Sequence, residues 1–368
     1  MNEVSRSRLV TLTLLVVLLP ASLLWAQARH EVRVPDILGY QTLKCDFHMH
    51  TVFSDGLVWP TVRVDEAWRE GLDAIAITDH IEYQPHKQDI PTNHNRPYAL
   101  ALPRAKELGI LLVKATEITR DTPPGHFNAL FLDDVTPVDT KDLVEAMAAA
   151  DQQGAFIFWN HPGWKPEHKG WFDIHTTIYE KKYLRGIEVV NGETYYLEAH
   201  EWALDKGLTF LANSDMHAPS PLDRTTSEKH RPMTFVFTQD KTLGALKEAL
   251  VAGRTALWFG PQVIGRQEYL EALFRGATRV TDVQRDPKVT RFTLTNDSDL
   301  PIELKLVGKQ GPPELSLPGN ASVRVRVNVP AEREGVSLSY VASNFLIGPE
   351  RGLPVRLVVA DTARTAGN

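Results

Sequence analysis

The sequence predicts an α/β fold: a (β/α) barrel followed by a small C-terminal β-sandwich. Three observations predict it. Short β-type runs alternate with helical patterns from residue 43 to about residue 259. The polar residues best suited to chemistry stand at the C-terminal ends of those runs. Beyond Gly260 the pattern changes to strict period-two alternation.

Taken in order, residues 1–28 read as a cleavable export signal. Arg6 and Arg8 precede an apolar run over 9–25, and Ala26-Gln27-Ala28 places small residues at a cleavage point. The run approaches membrane-spanning length, but Pro20 and the small-residue tail favour a signal over an anchor. Cys45 is the only cysteine, which excludes an internal disulfide and any cysteine-rich zinc site. An export signal without disulfides fits a bacterial periplasm or the medium, with no membrane association after cleavage.

Residues 29–260 are expected to form the barrel. Its β-type runs lie at 74–78, 110–116, 127–132, 155–159, 186–190 and 209–212, after a first run from Leu43. Helical patterns fill the gaps at 61–70, 97–108, 141–153, 194–206 and 242–252. Most close on a glycine, such as Gly109 or Gly207, which suits a left-handed cap. Strands alternating with helices give a parallel sheet, either closed or open. Thr78-Asp79-His80 follows Ile77, Asn160-His161 follows Trp159, and Asp215 follows Ala212. In a barrel those strand ends converge on one mouth, whereas outer strands of an open sheet would lie too far apart. The barrel is the better reading.

Residues 261–285 are expected to be a helical connection, with a helix pattern at 266–274. From 286 to 368, alternation such as Phe292/Leu294, Ile302/Leu304/Leu306, Val323/Val325/Val327 and Val355/Leu357/Val359 predicts half-exposed antiparallel strands. Turn signals at Asn296-Asp297-Ser298 and Pro318-Gly319-Asn320 separate them, giving a β-sandwich.

The 368 residues carry a net charge of −6 with 43% apolar and 23% charged residues. These are ordinary globular values, long enough for two domains. The balance offers no bulk attraction for a nucleic-acid polymer, so a small-molecule substrate is expected.

Three phrases carry the chemistry: Asp46-Phe47-His48-Met49-His50, Thr78-Asp79-His80 and Ser214-Asp215-Met216-His217. Residues two apart in extended chain face the same way, so His48 and His50 can grip one ion. Imidazole and carboxylate together bind divalent transition metals. A lone histidine at a strand end is more often a hydrogen-bonded core group, but the pattern here recurs in order along the chain.

The stretch DFHMHTVFSDG at 46–56, followed by AIAITDH at 74–80, resembles the opening of the polymerase and histidinol phosphatase (PHP) superfamily. The resemblance covers roughly residues 44–258. It implies a distorted seven-stranded (β/α) barrel, two or three divalent ions, and phosphoesterase activity. Residues 217–258 are similar to secreted bacterial PHP phosphodiesterases, which implies a phosphodiester as substrate. Residue by residue, it carries over nine metal ligands: His48, His50, Asp55, His80, Glu117, His126, His161, Asp215 and His217. By the resemblance, His48, His50, Glu117 and Asp215 would hold a first ion. Glu117, His126 and His161 would hold a second, and Asp55, His80 and His217 a third. Donors that are all nitrogen or oxygen suit Zn, Mn or Fe.

The expected reaction is attack on phosphorus by a metal-activated water, without a protein nucleophile. Asp215 is the candidate for accepting or relaying the proton. Arg224, Arg231 and Arg254 are candidate phosphate contacts, because guanidinium grips phosphate oxygens in a fork, though each could equally form a structural ion pair. Trp59, Trp159 and Trp164 lie near motif residues and could stack on a leaving group or pack in the core. The aromatic segment 164–183 reads as a lid or as a packed loop. His30, His86, His94 and His200 are expected to be solvated. Three other readings remain open: a phosphomonoesterase, an amidohydrolase-like amide or lactone hydrolase, and a metal-dependent binding module.

Overall fold

The computed structural model describes residues 28–224, 229–328 and 336–359. The expected signal, apart from Ala28, lies outside them. The chain opens with β1 (Gln41–Asp46), α1 (Pro60–Arg69), β2 (Ala74–Ile77), α2 (Arg96–Leu108), β3 (Leu111–Ile118) and β4 (Phe127–Leu130). It continues through α3 (Leu143–Gln152), β5 (Phe156–Trp159), α4 (Asp173–Glu180), β6 (Leu184–Asn191) and β7 (Thr194–Tyr195). Then come α5 (Leu197–Lys206), β8 (Thr209–Asn213), β9 (Met233–Thr238), α6 (Leu243–Val251), β10 (Thr255–Phe259), β11 (Gln262–Gly265) and α7 (Gln267–Ala277).

The alternation of strands and helices is as the sequence predicts, and the local reasons are visible. Asp142 accepts a hydrogen bond from the Glu145 amide at 2.9 Å to start α3, and Thr242 does the same for α6 from Ala245. Gly109 and Gly207 end α2 and α5 at φ 67° and 69°, a left-handed conformation that residues with a Cβ rarely adopt.

Strands β9, β1, β2, β3, β4, β5, β6 and β8 are consecutive neighbours in one sheet that wraps an apolar interior. Leu43, Cys45, Ala74, Ala76, Val113, Phe156, Phe158, Leu211 and Val236 fill that interior, and α6 packs against them with Leu246 and Leu250. Cys45 is a buried apolar filler, as its neighbours suggest. Two features depart from a regular seven-stranded barrel. β4 runs antiparallel to both its neighbours, because the segment from Thr119 to His126 is too short for a crossover helix. Among the described residues no backbone ladder joins β8 to β9. The Thr234 hydroxyl crosses that seam instead, bonding the amide and carbonyl of Ala212 at 2.9 Å each. The sheet is therefore barrel-like without closing on itself.

The C-terminal strands are β12 (Thr278–Asp286), β13 (Val289–Asn296), β14 (Ile302–Leu306), β15 (Glu314–Leu317), β16 (Ser322–Val327), β17 (Val336–Gly348) and β18 (Arg351–Val359). A three-stranded sheet, β12-β13-β16, faces one built from β15, β14, β17 and β18. Phe292, Leu294, Val325, Leu304, Leu338 and Leu357 point inward, as the period-two pattern predicts. The connection expected over 261–285 needs correction. It holds β11, α7 and β12, so the sandwich begins at Thr278. It is also not a separate bead. β17 pairs in parallel with β11 through Val263↔Phe345 and Ile264↔Leu346, and one apolar cluster runs from Trp258 and Leu270 to Phe345 and Leu353.

Of segment 164–183, the part around Trp171 and His175 packs on the barrel, while Trp164 at its start stays exposed. His175 is buried and stacks on Trp159 at 3.9 Å, and Trp171 lies against Trp159 and Trp202. His200 is not solvated: it is buried, with its Nδ1 2.7 Å from the Tyr195 hydroxyl. His30, His86 and His94 are partly exposed. Among the described residues no helix is long and apolar enough to cross a membrane.

Candidate metal centre

The nine predicted ligands meet at one mouth. His48 and His50 lie just past β1, where Met49 pairs with Met216 and sends its side chain into the core. His80 follows β2 and bridges to Glu117 near the end of β3. His161 follows β5, and Asp215 and His217 follow β8. Because β4 is reversed, His126 at its start joins the same rim. Asp55 sits in a tight turn, where the Ser54 and Gly56 amides both bond the Thr51 carbonyl. A Cβ on Gly56 would lie 2.4 Å from the His50 carbonyl carbon, so this turn requires glycine.

The deepest set is the tightest. His48 Nε2 lies 2.8 Å from Glu117 Oε2, 3.1 Å from Asp215 Oδ1 and 3.1 Å from His50 Nε2. His50 Nε2 lies 3.0 Å from Asp215 Oδ1 and 3.3 Å from Glu117 Oε2. Ligand bonds of about 2 Å put tetrahedral donors about 3.3 Å apart, so His48, His50 and Glu117 meet at a spacing that suits one ion, with Asp215 Oδ1 beside the two imidazoles. An outer set gathers on Asp55 Oδ1, which is 3.2 Å from His217 Nε2, 3.6 Å from His80 Nε2 and 3.7 Å from His50 Nδ1.

The expected second set, Glu117, His126 and His161, is looser. His126 Nδ1 is 2.7 Å from Glu117 Oε1, but His161 Nε2 is 3.9 Å from both Glu117 Oε1 and Asp215 Oδ2. The geometry groups His126 with Glu117 and His80, and His161 with His48 and Asp215.

The donors fit cations better than they fit each other. Glu117 Oε1 and His126 Nδ1 are buried 2.7 Å apart without forming a hydrogen bond, and Asp55 Oδ1 is likewise buried with no hydrogen-bond partner, a costly state unless an ion is bound. None of the described residues lining the 220 Å³ pocket above them is lysine or arginine. Burial alone would lower the His50 pKa, yet hydrogen bonds to Asp215 and Glu117 reverse this and raise it to about 9. His48 is raised against its own burial by Asp215, Glu188 and Glu117. Burial would raise Glu117 and Asp215, but the surrounding imidazoles hold both well below the usual carboxylate range. A field that draws protons onto buried imidazoles also favours metal cations there.

Several supporting residues escaped the sequence reading. Glu188, buried in β6, accepts from His48 Nδ1 at 2.9 Å, the His161 amide at 2.8 Å and Asn213 Nδ2 at 2.9 Å. It fixes the His48 tautomer with Nε2 free for an ion. Its signal was a carboxylate at the centre of an otherwise apolar strand. Arg63 on α1 donates to the carbonyls of His50, Met216, His217 and Ala218 at 2.7–2.9 Å, tying the two ligand loops together. Asp79 accepts from the Thr51 amide and from the Thr51 and Ser54 hydroxyls, which holds the Asp55 turn. His161 and Asp215 have φ of 28° and 50°, a strained region for non-glycine residues. The bonds from the His161 amide to Glu188 and from the Asp215 amide to His48 O (2.9 Å) hold them there. Replacing Glu188 with Gln should lower metal affinity about 10- to 100-fold, measurable by competition with a chelator dye.

Two of the three predicted phosphate contacts need correction. Arg231 is fully buried between Glu70 (2.8 Å) and Asp46 (3.0 Å) and cannot meet a ligand. Arg254 lies at the opposite end of the barrel, paired with Glu248, bonded to the Phe237 carbonyl and stacked over Tyr40. Arg224 stands 3.6 Å from Glu193 and does not line the metal pocket. Trp159 is core, Trp59 packs on Phe53, and Trp164 alone of the three borders the pocket.

Comparison with known proteins agrees with this geometry. Residues 278–358 match a family model described as an Ig-like domain. An uncharacterized protein of Methanocaldococcus jannaschii is 28% identical over 197 residues, spanning 49% of this chain and 84% of that protein. A crystal structure from Bacteroides vulgatus, of a two-domain protein containing a predicted PHP-like metal-dependent phosphoesterase, is 44% identical with a TM-score of 0.86. The match covers 91% of this chain and all of that one. By that match, across both domains and through the metal-binding mouth, this chain belongs to the family of PHP-like metal-dependent phosphoesterases.

Proposed function

We propose that the protein hydrolyses phosphodiesters using two or three divalent cations, Zn, Mn or Fe, held by the nine residues above. The observation that carries this reading is the deep pair of imidazoles, His48 and His50, each with its Nε2 2.8–3.3 Å from Glu117 Oε2 and Asp215 Oδ1, beside buried donors that make no hydrogen bond. Cations bound there would polarise a phosphoryl oxygen and lower the pKa of a water.

The chain's own residues do the rest. His48 and His50 turn Nε2 toward Glu117 Oε2, while Glu117 Oε1 turns toward His126. Glu117 is thus the residue able to serve two ions at once. Asp55, His80 and His217 form the outer wall, where a non-bridging phosphoryl oxygen would be held. Asp215 keeps Oδ1 on His48 and His50 and points Oδ2 toward His161. The imidazoles around it hold its pKa low, so it stays ionised, with Oδ2 the atom placed to take part in proton transfer. The diester reading is supported by space. The pocket opens into a second cleft of about 860 Å³, room for an ester arm that a monoester lacks. The N-terminal pattern supports export, and the substrate would be a small phosphoester met outside the cytoplasm.

The test is elemental analysis of purified protein together with a panel of phosphomonoesters, diesters and cyclic nucleotides. Metal-dependent turnover of diesters over monoesters is the expected result. Full metal loading with no turnover of any phosphoester would overturn the reading.

A further inference from the structure

The metal pocket and the larger cleft share Asp55, His80, His126 and Trp164. Trp164 is 47% exposed. Its ring lies 5.7 Å from that of His126 and 5.8 Å from that of His161, and its amide donates to the His161 carbonyl at 3.1 Å. The indole is therefore fixed to the turn that carries a proposed ligand, yet left open to the cleft. Tyr83, 54% exposed, stands edge-on to His80 and lines the same cleft. The strongest cation in the cleft is already committed: Arg120 pairs with Glu82 and donates to the carbonyls of Thr119 and Thr140. Lys165 sits over one face of the Trp164 ring, 4.8 Å from its centre, and Lys141 also lines the cleft. The cleft beside the candidate metal centre thus offers an exposed aromatic surface flanked by lysines. Exposed indole is poorly solvated and binds planar rings by stacking.

We propose that Trp164 is the platform for a planar ring on one ester arm, so that the preferred substrates are phosphodiesters with an aromatic or heteroaromatic arm. This rests on the phosphoesterase reading and deepens it. The probes are two non-hydrolysable anions, phenylphosphonate and methylphosphonate, titrated calorimetrically into metal-loaded full-length protein and into its Trp164→Ala and Trp164→Phe variants. The wild type should bind the phenyl compound about tenfold more tightly, a difference within the range of one stacking contact. Trp164→Ala should bring the two within about twofold of each other, Trp164→Phe should keep most of the preference, and metal content should be the same in all three. Equal binding of the two probes by the wild type, or a preference that survives Trp164→Ala, would overturn the proposal. So would equal loss of both probes together with metal. Turnover of methyl p-nitrophenyl phosphate by the wild type is read separately. Its absence alongside an intact phenyl preference would fault the catalytic reading and leave the platform standing.

Discussion

His48→Ala is expected to strip metal from the centre and to lower hydrolysis of bis(p-nitrophenyl) phosphate on the order of 10³-fold. The imidazole lies within 3.1 Å of donor atoms on Glu117, Asp215 and His50. It also answers Glu188 Oε1, which would be left facing an empty buried space. Loss of the donor and of the charge balance act in the same direction. Elemental analysis and steady-state kinetics on the same preparation check it. Turnover within tenfold of wild type at unchanged metal content would remove His48 from the centre. The Glu188 variant separates the two contributions, because it disturbs orientation while all nine ligands remain.

Arg231→Ala is expected to destabilise the fold by about 3–5 kcal/mol. Arg231 is wholly buried, and its removal leaves Asp46 without its cation and Glu70 with Arg69 alone in the same interior. Burial would raise Glu70, but Arg231 holds its pKa low, so the pair is ionised in the folded state. Asp46 also receives the Ser214 hydroxyl at 2.6 Å and the Ser214 amide at 3.1 Å. The loss should therefore loosen the loop carrying Asp215. Arg231→Lys restores the charge but cannot fork between two carboxylates, so it should recover only part of the stability. Urea unfolding measures both variants. A change below 1 kcal/mol for Arg231→Ala would show that this interior tolerates the bare acids.

The ligand set was legible because most members follow an apolar run, while His126 precedes one and Asp55 sits in the turn after His50, and the order of runs fixes which end of the barrel they reach. The arginines were not legible in that way. A guanidinium suited to phosphate is equally suited to Asp46 and Glu70, and nothing in the local pattern says that Arg254 enters its strand at the far end. Arg63 looks like any solvated helical arginine until the carbonyls of the two ligand loops converge on it. The misplaced start of the sandwich has a specific cause. In β12, Val280 and Val283 are out of phase because the register to β13 slips between Thr281 and Gln284, and a bulge erases the period-two signal. β4 read correctly as a strand, but direction depends on loop length and partner, not on composition.

The junction between β11 and β17 has a bearing on how such a protein can change. A module on a flexible tether can be exchanged or lost while its neighbour keeps working. Here the Ig-like domain lends a strand to the edge of the hydrolase sheet, covering backbone groups that would otherwise invite pairing with another chain. The two halves are thus bound to a common history, and a graft that swaps one of them must rebuild that shared border.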